Sequence, residues 1–367
     1  MSFEEKQSYN GPMDTIPVFF PMAEYWWFYA GFTVFVLAML ALDLGVFHRS
    51  AHAVSFKEAA AWSVVWIALA LIFSYALHEY AHYRFLNSER LSQWPGFDPA
   101  MAKKWADQVS LEFLTGYVIE KSLSIDNLFI FVLVFRYFAV SPLYQHRILF
   151  FGILGALVFR AIFIWIGAAL MQYEWIVMIF GGFLVITGIK LAFSNEQEID
   201  PEKNILVRTL RKFIPVTARV DGPEFFVKQV PQNKLSDKAA KAVWHATPLF
   251  LCLTFVEATD IIFAVDSVPA IFAITKEPMI VFTSNVFAIM GLRSLYFLLA
   301  NIMDKFHLLK YGLAIVLVFV GLKMTWLNHL FGGKFPITWS LGIIFGVISA
   351  SIALSFMFPA KSAEPKV

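Results

Sequence analysis

The chain has 367 residues, of which 59% are hydrophobic, 17% aromatic and only 15% charged. A soluble domain is about 45–50% apolar and about 25% charged, so this composition excludes a water-soluble globule and indicates an all-α polytopic membrane protein. The 29 Lys+Arg against 27 Asp+Glu leave no basic field for nucleic acid, and one cysteine, Cys252, excludes an internal disulfide and a thiolate metal cage.

Residues 1–24 carry Glu4, Glu5, Asp14 and Glu24 without the basic–apolar–small order of a secretory signal. They read as an extracytoplasmic N-terminal segment. Nine apolar runs follow, at 25–47, 56–77, 109–138, 147–171, 174–194, 245–272, 279–303, 308–331 and 336–358. Each approximates the roughly 20 residues that a helical span needs. They are continuous, unlike the alternating segments of about ten residues in a transmembrane barrel. One transmembrane domain over 25–358 and a cytoplasmic tail at 359–367 are therefore expected.

Asp43 closes the first run, as an accessory acid or a simple span-end charge. The loop 78–108 holds His78 and His82 at i, i+4 spacing, which suits either a metal pair or, the favoured reading, a solvated helix extension. The polar segment 195–244 contains Pro201, Pro215, Pro223 and Pro231 and reads as a cytoplasmic linker; a regulatory or partner-binding role is the alternative. Lys and Arg concentrate on the side that holds 48–55, 139–146 and 195–244. The positive-inside rule then places the N-terminus outside and the C-terminus in the cytoplasm. Nothing points to an organelle, so a bacterial inner membrane is expected. Trp26, Trp27, Trp326 and Trp339 fall near span ends, as interface anchors do.

The two halves share landmarks. Arg160 in the fourth run and Arg293 in the seventh are each followed, 30 residues on, by Lys190 and Lys323 in the triplets Gly188-Ile189-Lys190 and Gly321-Leu322-Lys323. Upstream lie Asp126-Asn127 and Asp266-Ser267, with Glu120 and Asp260 six residues before the respective Asp. The upstream register stays open, because Asp126 aligns with Asp260 by its distance to the Arg and with Asp266 by its neighbours. Spans 3–5 (109–194) and 6–8 (245–331) thus form two three-helix units. Odd-numbered units sit in opposite orientations, which makes a 3+3 inverted repeat, a common basis of alternating access.

Glu120, Asp126, Glu257, Asp260 and Asp266 all lie inside apolar runs. An acid at mid-membrane costs about 2.5–3.5 kcal/mol on insertion scales, so five cost about 12 kcal/mol or more unless they face a polar interior, pair, or bind cations. Arg160, Arg293 and Lys121 are the available counter-ions. Glu257 and Asp260 share a helix face, whereas Asp260 and Asp266, like Glu120 and Asp126, lie about 120° apart around a regular helix. Convergence on one ion therefore predicts a break between the acids. Pro269 favours it in the sixth span, and Ser122, Ser124 and Asn127 can satisfy freed backbone groups in the third. The donor pool of carboxylates, Asn127, Thr259 and Ser267 is all hard oxygen, which suits Mg, Ca or Mn.

The strings from Glu120 to Asn127 and from Phe255 to Pro269 resemble the signatures of the TerC family, and the nine-span plan resembles its Alx-like branch. The resemblance covers roughly 25–358. It implies a superfamily of cation and amino-acid exporters with 3+3 inverted repeats. It also implies Mn²⁺ export, an alkaline-pH response in some members, and a metal site at Glu120, Asp126, Glu257, Asp260 and Asp266. The expectation is a secondary exporter of Mn²⁺, carried as substrate and with no cofactor, with exchange for protons as the coupling hypothesis. Asn127, Thr259 and Ser267 would complete the oxygen shell, and Arg160 and Arg293 would pair with the acids in the empty state. The alternative is a membrane scaffold or accessory protein of a tellurite- or stress-resistance complex, with structural acids. An enzyme is not expected, because neither the Gly-x-Gly-Asp string of intramembrane aspartyl proteases nor a nucleotide motif is present. Expected partners are a divalent ion and the lipid bilayer. Protein partners and oligomeric state are not legible in the sequence.

Overall fold

The computed structural model describes residues 18–42, 55–94, 97–138, 140–193, 214–217, 222–229, 243–300, 308–331 and 335–358. The described residues are overwhelmingly helical. In order they form α1 (Met22–Leu42), α2 (Phe56–Leu86), the short α3 (Glu89–Ser92), α4 (Pro99–Tyr137), α5 (Pro142–Leu170) and α6 (Glu174–Phe193). A two-stranded antiparallel hairpin, β1 (Phe226–Gln229) and β2 (Val243–Ala246), follows, with Val227 opposite His245. The second half contains α7 (Pro248–Phe272), α8 (Pro278–Met290), α9 (Leu292–Leu299), α10 (Leu309–Leu330) and α11 (Ile337–Met357).

Each of the nine expected runs holds a helix. Among the described residues, seven helices are long and apolar enough to cross a membrane alone, and α8 with α9, bent by 41°, makes an eighth if the pair is one span. The third expected span, α4, is 39 residues long and interrupted by polar side chains, so its length rather than its apolarity suits a span. The exposed Trp26, Trp27, Trp326 and Trp339 have the outward orientation expected of interface anchors.

Local signals explain the helix starts. Ser55 caps α2, its hydroxyl accepting from the Glu58 amide at 3.3 Å. Asp98 accepts from the Ala100 amide at 2.9 Å where α4 begins. Pro142, Pro248 and Pro278 open α5, α7 and α8, where a missing amide proton costs nothing. The expected 78–108 loop is mostly helix: α2 continues through His78 and His82 to Leu86, and α4 starts at Pro99. These extensions pair through Ser74 and Ser110 (2.9 Å) and through His78 and Asp107 (2.8 Å). Of the linker 195–244, the described part docks by Phe225 on Phe151 and by Phe226 on Phe250. Most of the expected N-terminal segment, and the tail 359–367, lie outside the described residues, as does Asp43.

In the core, α4 packs on α2, α7 and α8, and α5 packs on α7 and α8, while α6 lies along α10. The last pair touches through glycine. A Cβ on Gly181 would sit 3.0 Å from the Gly321 carbonyl oxygen, and one on Gly321 would sit 2.5 Å from that of Gly181. Small residues let backbones approach in this way where lipid offers no hydrophobic drive to associate.

One expectation about the helices is corrected. Neither α4 nor α7 breaks between its acids; α7 runs through Pro269 to Phe272 as one helix. The irregular backbone lies elsewhere, at the α8–α9 bend and in a π-helical turn at Lys323–Leu327 within α10. Pro269 sits one turn from the end of α7, where few helical bonds depend on it.

Candidate functional site

The centre of the bundle holds a buried polar cluster made by four helices. Glu120 from α4 is fully buried, and so, to 2% exposure, is Arg160 from α5. Their side chains form a direct ion pair between Arg160 Nη1 and Glu120 Oε1. The same guanidinium nitrogen donates to Ser267 Oγ of α7 at 3.2 Å and to Asn285 Oδ1 of α8 at 3.1 Å. Asn285 Nδ2 donates in turn to Glu120 Oε2 at 3.2 Å, and the Ser124 hydroxyl faces Glu120 Oε1 at 3.5 Å. Both carboxylate oxygens of Glu120 are thereby engaged, as a charge removed from water requires.

Asp260 of α7 is buried within electrostatic reach of Arg160 and Glu120. Glu257, one turn earlier, faces Asp260 and lies against Gly155 of α5, where any side chain would collide with the carboxylate. Its Oε2 is buried without a hydrogen-bond partner, and so is Arg160 Nε. The cluster thus sets Glu120 and Asp260 about one guanidinium, with Glu257 beside Asp260, and retains unused polar capacity.

One expected site residue, Asp266, makes a different set of contacts. Asp266 turns to α6, where Thr187 hydrogen-bonds it and the positive charge of Lys190 acts on it. The 120° between Asp260 and Asp266 persists because α7 stays regular, so the two acids serve different helix contacts. Thr259 donates to its own backbone at Val256 (2.7 Å) and Ser122 to Val118 (2.6 Å). Asn127 is buried in α4 and Arg293 in α9. The side chain of Asp126 lies outside the described residues. Among the described residues, no three His, Cys, Asp or Glu side chains are arranged to hold a metal ion. The guanidinium of Arg160 pairs with Glu120 and acts on Asp260, so a cation at Glu120 would have to take its place.

Two participants escaped the sequence reading. Asn285 bridges both members of the ion pair, and its signal was available: an amide beside Thr283 and Ser284 in an apolar run is as anomalous as an acid there. The other is Glu277, in the turn before α8. Its carboxylate accepts from the amides of Phe19 (2.6 Å) and Phe20 (3.3 Å), which fastens the segment before α1 to that turn. Burial pushes its pKa up to about 7, and the two amides hold it from rising further. Nothing in the spacing of residues 258 positions apart announces such a contact.

Residues 105–363 match the family described as "Integral membrane protein TerC family". The chain is 47% identical over 345 residues to "Uncharacterized membrane protein STKORF319" of Myxococcus xanthus, covering 92% of this chain and 96% of that protein. It is 45% identical over 322 residues to "Putative membrane-bound redox modulator Alx" of Escherichia coli K12, covering 87% and 91% of the two chains. The protein of the same name from Salmonella typhi is 42% identical, over 89% and 93%. No solved structure matches.

Proposed function

Because this chain belongs to the TerC family of integral membrane proteins, we propose that its buried carboxylate cluster is the substrate site of a secondary transporter that exports Mn²⁺ across a bacterial inner membrane. The observation that carries the reading is the Glu120–Arg160 pair with Asp260 and Glu257 beside it. More acid than base is held inside apolar helices, and one internal cation pairs with Glu120 while Glu257 keeps an unused carboxylate oxygen. Mn²⁺ would displace the guanidinium and draw Glu120, Asp260 and Glu257 together as ligands, with Ser267 as a neutral oxygen donor. Hard oxygen ligands favour Mg, Ca or Mn, and the resemblance to Alx-like exporters selects manganese. Asp266, facing Thr187, is a second station on the path, and Asp126 and Asn127 belong to the same stretch of α4.

Alternating access would follow from the inverted repeat. Its support is the exchange of packing partners: α4 lies on α8 as α5 lies on α7, and α6 and α10, which carry the matching Gly-x-Lys triplets, pair with each other. The proposed orientation is N-terminus outside and C-terminus in the cytoplasm, and proton antiport is the proposed coupling. The relatives' name speaks of redox modulation. With Cys252 as its one cysteine, this chain has no dithiol pair of its own for such a role.

The test is Mn²⁺ flux in sealed vesicles, with Ca²⁺ and Mg²⁺ as competitors. Glu120→Gln and Asp260→Asn should abolish flux while the protein stays folded, and Asp266→Asn should impair flux with binding retained. Flux that ignores collapse of the proton gradient would remove the coupling. If the wild type moves no divalent ion under any gradient, the acids are structural and the scaffold reading replaces this one.

A further inference from the structure

Residues 120 and 121 of α4 grip α8 at two points one turn apart. Glu120 accepts from Asn285 Nδ2 at 3.2 Å, and Lys121 Nζ donates to the Ala288 carbonyl at 3.1 Å. Asn285 and Ala288 are three residues apart and so share a helix face. Directly beyond them the seventh span bends by 41° at Gly291, whose amide turns to the Ile289 carbonyl instead of continuing the α-helical ladder. The last carbonyls of a helix need outside donors, and a cation suits its negative end. Lys121 supplies both at the C-terminus of α8. Gly291 is the residue that makes room: a Cβ there would lie 2.6 Å from Lys121 Nζ and 3.1 Å from Trp66 Cβ.

We propose that Lys121 is a positioning residue that couples cation occupancy at Glu120 to the α8–α9 bend, by holding Ala288 as a fulcrum while Asn285 is released. The inference rests on the transport reading above. When a cation takes Glu120, the contacts of Arg160 and Asn285 with that carboxylate are given up, and α8 keeps its hold on this turn of α4 through Lys121. Release at residue 285 with retention at residue 288 tilts α8 about a point next to the bend. The movement is thereby passed to α9, which packs on α2, α4 and α5.

Full-length protein in nanodiscs, in a Cys252→Ala background, would carry a fluorescence donor and acceptor at Ile262→Cys on α7 and Leu298→Cys on α9. Mn²⁺ binding is measured by calorimetry, the α7–α9 distance by energy transfer, and flux in vesicles. The expected result for Lys121→Met is Mn²⁺ affinity close to wild type, loss of the Mn²⁺-dependent change in energy transfer, and flux lowered about tenfold, within the usual range of coupling between sites. If Lys121→Met keeps both the energy-transfer change and the flux, or loses binding in step with flux, the coupling role is overturned. Should that variant not fold, Gly291→Ala decides by crowding the same ammonium: uncoupling supports the proposal and wild-type behaviour overturns it. A wild type that neither binds nor moves Mn²⁺ overturns the transport reading itself, and the coupling with it. That outcome is distinct from one in which only the variants behave as wild type.

Discussion

Replacing Arg160 by Met removes the cation from the centre of the bundle while keeping most of the side-chain volume. Glu120 is then left fully buried with Asn285 and Ser124 to face it, Asp260 loses a positive charge that acts on it, and Ser267 loses a donor. Breaking a buried pair by removing one partner costs about 3–5 kcal/mol, because an uncompensated charge stays behind. The double variant Glu120→Gln/Arg160→Met removes the charge along with its partner and should cost much less. The two substitutions therefore should be non-additive by about 2 kcal/mol or more. Reversible unfolding of purified protein in mixed micelles would supply the cycle. Mn²⁺ adds a second arm. A ligand at about 100 times its dissociation constant stabilises by about 2.7 kcal/mol, and with Arg160 absent nothing competes for the acids. Mn²⁺ should therefore protect Arg160→Met at lower concentration than wild type. An Arg160→Met cost below about 1 kcal/mol, with additivity in the cycle, would refute the account of a buried charge held by one guanidinium.

Gly181→Ala should destabilise, since its Cβ meets Thr325 and the Gly321 backbone, whereas Gly182→Ala faces open space and should be neutral or gain up to about 1 kcal/mol from helix propensity; thermal unfolding of the two side by side is the check. Glu277 predicts a pH dependence. Its folded pKa of about 7 lies above its ordinary 4.5, so the folded state binds more protons between those values. Its contribution is complete below 4.5 and is lost as pH rises through 7, by up to about 3 kcal/mol, and Glu277→Gln should flatten the stability profile in that window. Loosening of the Phe19–Phe20 segment in Glu277→Ala should appear as faster amide exchange at those two residues, and unchanged exchange would rule out the latch. Truncating Phe225 or Phe226 to Ala should free the hairpin from α5 and α7, raising its protease sensitivity while leaving the central ion pair intact.

Much of this protein is legible in its sequence, because a bilayer is a severe solvent. Apolar runs of fixed length have few alternatives to helices there, and an ionisable group inside one is costly enough to mark itself. That is why a helix could be placed in each of the nine apolar runs from the chain alone, and why Glu120, Arg160 and Asp260 could be named together before any contact was known. Tertiary structure decided what periodicity leaves open. Spacing sets Asp260 and Asp266 about 120° apart but does not say which neighbour each face meets; a break was expected to bring them together, and α7 stays regular with Asp266 turned to Thr187. A proline signals a lost hydrogen bond, but packing decides whether a helix yields: α7 runs through Pro269, and the bend falls in the next span at Gly291, where Lys121 needs the space. Asn285 and Glu277 join segments far apart in the chain, and such contacts exist only once the helices have been laid against one another.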